Sequence, residues 1–478
     1  MLNLGLSQQE YVLKQPQHLS QVSFRYRLLA GLLLLVPFLL FCIALLLALA
    51  SEYPATKIVS EVAIVLTVLI FLRGVLSLSQ VVHSAIKTRR SVLSRLANKF
   101  TMARSPKVPP VSILFCPKET QQNCEETLRS LLALDYPEYE LIVVNDGSVP
   151  TEKLLVEFGL EPVNKVFKRS LMTGSIHDIY ASKKYPKLLV VSKPRSNLAD
   201  SLNVGINLAR SPLICFFEDE CVLTRDGLSL LAKPFIEYPN LTVISAATAE
   251  MSLAEDAELF DAVKIASRKR LFHSSSFLRA LLCIASGLRN SVSIFRKADL
   301  IRVGGFQEAV MGEAVSLLLR SGLAEEHRVS HVADVLCWKL SSARPEVELG
   351  QWQASAVLMA ATGLAAARDI RLLPGYLLLL VECYAPILEL LGLVLVLGGF
   401  LTGLIGSELV LLFFMTLISM ALLESVSGIV ADEFSLRHQH TVSETLLLVF
   451  ASIIEAVLYR QVANYYRVKG ILEALLKA

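Results

Sequence analysis

The sequence predicts an α/β doubly wound domain inserted between N- and C-terminal transmembrane helices. Three observations carry that expectation. Apolar residues are concentrated at the two ends of the 478-residue chain, the middle alternates short strand and helix patterns, and acidic residues close two of the strands. The composition agrees: 54% hydrophobic residues, 19% charged residues and a mean hydropathy of +0.54. The charged share lies below the roughly 25% of ordinary soluble domains, which argues against a plain soluble enzyme. The same figures exclude a disordered chain, a collagen and a disulfide miniprotein. A net charge of +3 and a pI near 8.3 are too mild to call for a nucleic-acid partner.

Taken in order, residues 1–27 form a cytoplasmic N-terminus and residues 28–78 a transmembrane hairpin. Residues 28–50 carry no charge at all, enough to cross a hydrocarbon core of about 30 Å. A signal peptide is the alternative, suggested by Ala48-Leu49-Ala50. Its apolar core would be shorter, however, and would not be followed by a second hydrophobic stretch. That second stretch, 58–78, is interrupted by Glu61 and Arg73. Residues 79–107 follow as a basic linker with Lys87, Arg89, Arg90, Arg95, Lys99, Arg104 and Lys107, which places them on the cytoplasmic side.

Residues 108–350 read as the soluble domain. Strands are expected at 111–115, 140–144, 187–191 and 213–217, with helices at 124–134 and 201–209. Such βαβα alternation argues for a parallel sheet covered on both faces. Ligands on these sheets bind beyond the carboxyl ends of the strands. The second strand ends in Asn145-Asp146-Gly147-Ser148 and the fourth in Glu218-Asp219-Glu220. Chemistry is therefore expected at those two ends. Residues 264–270, with Lys264, Arg268, Lys269 and Arg270, read either as an interfacial helix or as a solvated helix face.

The C-terminal third is apolar again. Residues 351–371 read as an interfacial segment, 372–460 as the C-terminal transmembrane region and 461–478 as a basic tail. Two spans are expected, within 372–405 and 409–430. Residues 445–458 then read as a partly buried or interfacial helix, because a third span would put Arg460, Arg467, Lys469 and Lys477 outside, against the charge bias. Glu382 and Glu389 share one helical face at a depth where carboxylates face protein or a wet cavity. A pore-lining role and structural pairing both remain open for them. None of the eight cysteines has metal-type spacing. His438-Gln439-His440 reads as a polar loop more readily than as a metal pair.

Residues 110–114, 127–137, 140–148, 199–209, 295–296, 303–306, 386–392 and 459–461 run through most of the chain in an order that resembles a known family. It is the family-2 glycosyltransferases, in particular the membrane-embedded polysaccharide synthases related to cellulose, hyaluronan and poly-N-acetylglucosamine synthases. The resemblance implies a nucleotide-sugar-binding, glycosyltransferase A-like domain between membrane helices. It also implies a nucleotide-diphosphate sugar donor, inverting transfer and Mg²⁺ or Mn²⁺ if the protein is active. Hard oxygen ligands suit those ions.

The resemblance further implies roles for single residues, and here the sequence departs from the family. Asp146 matches the nucleobase aspartate. The metal-binding DxD becomes Glu218-Asp219-Glu220, with Glu218 and Glu220 as metal candidates and Asp219 beside the nucleotide sugar. A phosphate-facing lysine is replaced by Leu198, leaving Lys193 upstream as a nucleotide-sugar candidate or a strand-end surface residue. The general base, worth roughly 10²–10⁴ in rate, falls on Ala314, and the adjacent Glu313 is the remaining carboxylate. The QxxRW motif at the acceptor region is reduced to Gln351 and Trp352, without an arginine.

The expected function is therefore that of a membrane glycosyltransferase-family-2-like protein of polysaccharide synthesis or export with degraded catalysis. Such a pseudoenzyme would act as partner or scaffold to an intact paralogue or to export proteins, with no cofactor required. One alternative is an active inverting transferase that extends a polysaccharide. The other is a receptor or secretion component whose domain binds a partner. The expected location is a bacterial inner membrane with the soluble domain cytoplasmic; the lipid bilayer is a partner and nucleic acid is not.

Overall fold

The computed structural model describes residues 55–102, 108–117, 124–165, 169–217, 221–250, 259–282, 292–306, 329–339, 350, 353, 356–357, 373–434 and 442–476. The first expected span, 28–50, lies outside them, as do the histidine pair at 438–440 and the acidic and acceptor-region motifs considered below.

Strands form at the four expected apolar runs, and six more join them. They are β1 (Val111–Phe115), β2 (Tyr139–Asn145), β3 (Leu160–Pro162), β4 (Asp178–Ser182), β5 (Leu188–Ser192), β6 (Leu213–Phe217), β7 (Cys221–Leu223), β8 (Val243–Glu250), β9 (Val292–Arg296) and β10 (Val329–Lys339). They make one sheet in the order β3-β4-β5-β2-β1-β6-β9-β8-β10-β7. β5, β2, β1 and β6 pair in parallel, while β4 and β9 flank that core antiparallel. The sheet is thus mixed rather than wholly parallel. The short hairpin link between β4 and β5 leaves no room for the crossover helix that a parallel pair requires.

β1 is buried along its whole length, as a strand covered on both faces should be. Its side chains alternate between two cores. Ile113 and Phe115 meet Leu128 and Leu131 of α1 (Cys124–Leu132), Leu154 and Phe158 of α2 (Thr151–Phe158), and Leu228 and Phe235 of α3 (Gly227–Glu237). Leu114 instead joins the core formed with Leu202 and Ile206 of α4 (Leu198–Leu208). A β-carbon on Gly205 would lie 2.9 Å from the Leu114 side chain, so the glycine permits the close approach of α4 to β1. This second core continues into Tyr376, Leu379, Cys383 and Ile471, which belong to the membrane frame. One face of the sheet domain is therefore fused to the helices that follow it.

The membrane frame comprises α5 (Ala55–Met102), α6 (Leu373–Leu401), α7 (Ser407–Phe434) and a long C-terminal helix. The last is built from α8 (Val442–Ile454), a π-helical turn (Glu455–Tyr459) and α9 (Arg460–Leu476). Residues 461–476, expected as a tail, are thus helical. Four helices among the described residues are long and apolar enough to cross a membrane: 56–90, 375–401, 407–434 and 443–473. This is a membrane protein. Small residues let the helices approach closely, with Gly392 facing Phe413 and Gly74 facing Met420, a packing habit of helices in lipid.

The frame also contains a buried ionic cluster. Arg73 of α5 reaches Glu424 at 2.9 Å, Glu382 at 3.3 Å and Glu389 at 3.4 Å. Arg460 reaches Glu389 at 2.8 Å and Glu424 at 3.1 Å, and Asn464 donates to Glu389 at 2.7 Å. Glu382 and Glu389 are thus structurally paired.

The basic segment 264–270 belongs to α10 (Leu259–Leu282), which leaves the sheet between β8 and β9. Lys269 and Arg270 are buried rather than solvated, while Lys264 is partly exposed beside Asp261. Arg270 pairs with Glu455 at 3.3 Å and Glu424 at 3.6 Å, and Lys269 pairs with Asp432. Burial explains the pairing, since an unpaired charge at that depth costs several kcal/mol.

Candidate functional site

The chain runs outward from β1 to β2 and β5, then returns to the other side of β1 as β6. The strand order therefore reverses at β1, and the carboxyl ends of β5, β2, β1 and β6 line the crevice where α/β sheets take ligands. Asp146 leaves β2 at this edge. Asn145, fully buried, fixes the turn after it by donating to the Val149 carbonyl at 2.7 Å and accepting the Val149 amide at 3.2 Å. Gly147 adopts φ 88°, a left-handed conformation that L side chains rarely take. The Asp146 carboxylate accepts from the Ser148 hydroxyl at 2.5 Å and remains half-buried at the rim.

Lys193 follows β5 at the same edge, its amide bonded to the Asn145 carbonyl at 3.0 Å. It is not a surface residue. Its side chain is 1% exposed, and its ammonium lies 2.7 Å from Asp200 and donates to the Ser196 hydroxyl. Asp200 also accepts the Gly174 amide at 2.8 Å and the Ser196 hydroxyl at 3.1 Å. Partial burial opposes the Asp200 charge, but these donors outweigh it and hold the carboxyl below its ordinary range. Asn197 caps α4 by accepting the Asp200 amide at 2.8 Å. The lysine charge is thus committed to tying the loop at 174 to the start of α4. Leu198, which stands where a lysine is expected, packs against the core instead.

The structure brings Asp146 and Lys193 to one sheet edge. Glu218, Asp219, Glu220, Glu313, Ala314, Gln351 and Trp352 lie outside the described residues. The strand that carries the acidic triplet, β6, pairs directly with β1 in register, so the triplet follows from the carboxyl end of a central strand. Among the described residues no cluster of His, Cys, Asp or Glu could hold a metal ion.

Other supporting residues escaped the sequence reading. Asn203 and Asn207, four apart on the buried face of α4, each fasten a distant loop. Asn203 accepts the Phe306 amide and donates to its carbonyl, both at 2.9 Å. Asn207 accepts the Ser170 and Leu171 amides and donates to the Leu171 carbonyl, each at 2.9 Å. Two buried amides at helical spacing in an otherwise apolar stripe were the available signal, because such groups need partners. The Asn203 clasp fixes the point from which the chain departs toward Glu313 and Ala314.

Arg467 is the second such group. It donates to the Gln353 side chain at 2.8 Å and to the Glu382 carbonyl at 3.3 Å. Gln353 in turn donates to the Cys383 carbonyl at 3.2 Å. Gly350 lies so close to Gly470 that a β-carbon on the latter would overlap it. Gly350 thus meets α9, and Gln353 bridges α6 and α9.

No family model matches the chain. Its sequence is similar to poly-beta-1,6-N-acetyl-D-glucosamine synthases. It is 23% identical to one from Staphylococcus epidermidis over 54% of this chain and 56% of that protein. It is 21% identical to one from Staphylococcus aureus over 50% of this chain and 51% of that protein. The chain thus spans about half the length of the curated relatives it matches. Among solved structures it is similar to a mannosyltransferase from Pyrobaculum calidifontis in complex with GDP-mannose and Mn²⁺. The likeness has a TM-score of 0.50 at 16% identity and covers 88% of this chain and 99% of that one. The fold is therefore of the glycosyltransferase A type, joined to membrane helices, and the sequence resembles family-2 polysaccharide synthases.

Proposed function

We propose that this chain is a glycosyltransferase-like membrane protein of polysaccharide synthesis or export that binds a nucleotide-diphosphate sugar without efficient transfer. It works as partner or scaffold to an intact transferase or an export protein. The observation that carries the binding half is the position of Asp146, presented on a fastened turn at the carboxyl edge beside the strand-order reversal. Base and ribose recognition fits an aspartate there. The loss of transfer rests on the sequence, which has Ala314 where a proton acceptor is needed and no arginine beside Gln351 and Trp352. Glu313 is the nearest carboxylate, but neighbours on a helix point about 100° apart. Glu218 and Glu220 would hold Mg²⁺ or Mn²⁺ on the diphosphate, with Asp219 between them. Lys193 supports the edge from beneath through Asp200. The bacterial inner membrane, with the sheet domain on the cytoplasmic side, is the setting that the basic linker at 79–107 favours.

An active transferase is the second reading, favoured by the three carboxylates retained at 218–220. Titration of the purified full chain with nucleotide sugars and Mn²⁺ or Mg²⁺, followed by product analysis, separates the two. The expected result is saturable binding without product, and loss of binding in Asp146→Ala. Donor-dependent polymer abolished by Glu220→Ala would establish the active enzyme instead. Absence of any nucleotide binding would leave a partner-binding membrane component.

A further inference from the structure

The carboxyl edge around β5 and β2 carries too few cations for an anionic ligand unless Arg195 is counted. Among the described side chains its permanent charges are Asp146 after β2, Asp178 at the start of β4, Lys193 and Arg195 after β5, and Asp200 in the first turn of α4. Asp178 belongs to this edge because it pairs with Ser192, the last residue of β5. His177 is there as well, with its amide bonded to the Ser192 carbonyl at 2.9 Å. Three carboxylates thus meet two permanent cations. Lys193 is committed to Asp200 at 2.7 Å, and its side chain is 1% exposed. Withdrawing its ammonium would leave a partly buried carboxylate short of its partner, which is costly.

Asp146 and Asp178 therefore set the sign of the edge, and a diphosphate would bring further negative charge. Like charges at such short range repel. Arg195 reverses the balance. Its side chain is exposed, and it stands two residues beyond Lys193, no more than about 7 Å along the chain. The Lys193 amide is bonded at 3.0 Å to the carbonyl of Asn145, the residue before Asp146. Arg195 and Asp146 thus leave neighbouring strands at the same level.

The loop that carries Arg195 is fastened on both sides. Before it, the Lys193 amide is tied to β2 and the Lys193 ammonium to Asp200, and Pro194 has a fixed φ. After it, the Ser196 hydroxyl donates to Asp200 at 3.1 Å and Asn197 caps α4. A loop ordered in advance loses less entropy when it takes a ligand. A guanidinium also offers a planar fork that meets two phosphate oxygens at once and keeps its charge at any physiological pH.

We infer that Arg195 binds the diphosphate of the nucleotide ligand through its oxygens. On the nucleotide-sugar function proposed above, on which this role depends, Asp146 takes the base and ribose and Arg195 the phosphate end of the same ligand. The Lys193–Asp200 pair is the fixed support of the loop and does not itself touch phosphate.

The test is titration of the purified full chain with UDP, GDP, ADP and CDP in the presence of Mg²⁺. The nucleoside of whichever base is preferred is then followed by ligand-observed NMR. Arg195→Ala should weaken the preferred diphosphate by about tenfold or more and leave the nucleoside unchanged. Arg195→Gln, which keeps the length and loses the charge, should behave in the same way. Arg195→Lys should recover part of the loss, as a point charge without the fork. Lys184→Ala, at the opposite end of β5, should change neither ligand. Undiminished diphosphate binding in Arg195→Ala and Arg195→Gln would overturn the role of Arg195 and leave nucleotide binding by the chain intact. An equal loss for nucleoside and diphosphate would overturn it too, because the arginine would then be shaping the loop. Binding of none of the four diphosphates by the parent chain would overturn both this role and the nucleotide-sugar function.

Discussion

The sheet's carboxyl edge and the ionic cluster of the membrane frame use the same side chains to opposite ends. At the edge, Asp146 remains at the rim with a serine hydroxyl as its described partner, and only Lys193 and Asp200 are locked together. In the frame, Arg73, Arg460 and Arg270 are nearly inaccessible and shared among Glu382, Glu389, Glu424 and Glu455. The difference teaches that location decides the role of a charge. Near water an aspartate can stay available for a ligand, whereas in a dry interior every charge must be consumed by another.

That contrast can be broken most forcefully in the frame. Arg460→Ala leaves Glu389 and Glu424 short of a partner in a dry interior and should destabilise the protein by about 3–5 kcal/mol, read as a lowered unfolding temperature in detergent. Nucleotide binding per folded molecule should be unchanged. Next is Asn203→Ala, which strands the Phe306 amide and carbonyl and should cost about 1–3 kcal/mol in denaturant unfolding.

At the edge the effect is smaller and depends on pH. The Asp200 carboxyl is held below its ordinary value, so its contribution is fully present above the unfolded carboxylate pKa. That contribution is lost as pH falls through the lower folded value. Stability measured downward from pH 6 should fall in the parent chain, and Asp200→Asn should flatten that part of the curve. At neutral pH the same variant should cost about 1–2 kcal/mol, since the pair is partly open to solvent. Smallest of all is Lys233→Ala, which removes an exposed helical pair with Glu237 at 3.4 Å. It should change stability by no more than about 0.5 kcal/mol.

Much of the sheet was legible from sequence because a strand buried on both faces must be apolar throughout. β1 and β6 match their expected bounds, β2 extends its own by one residue at each end, and β5 is shifted by one residue. The antiparallel flanks were not legible. β4 and β9 follow from how the chain returns to the sheet rather than from any local pattern. Asp146 could be found because a turn after a strand has its own residue signature. The Lys193–Asp200 pair is only seven residues apart in sequence but is formed by a loop that doubles back, and Arg467–Gln353 spans more than a hundred residues. No periodicity records such pairs.

The amino-acid order by itself determined that apolar helices flank a strand-and-helix domain, since hydrophobicity and its period are properties of neighbouring residues. Only the tertiary structure decided which charges are spent on one another. A paired arginine and an available one read alike in sequence, and the energy that separates them comes from desolvation, which exists only once the chain has closed around them.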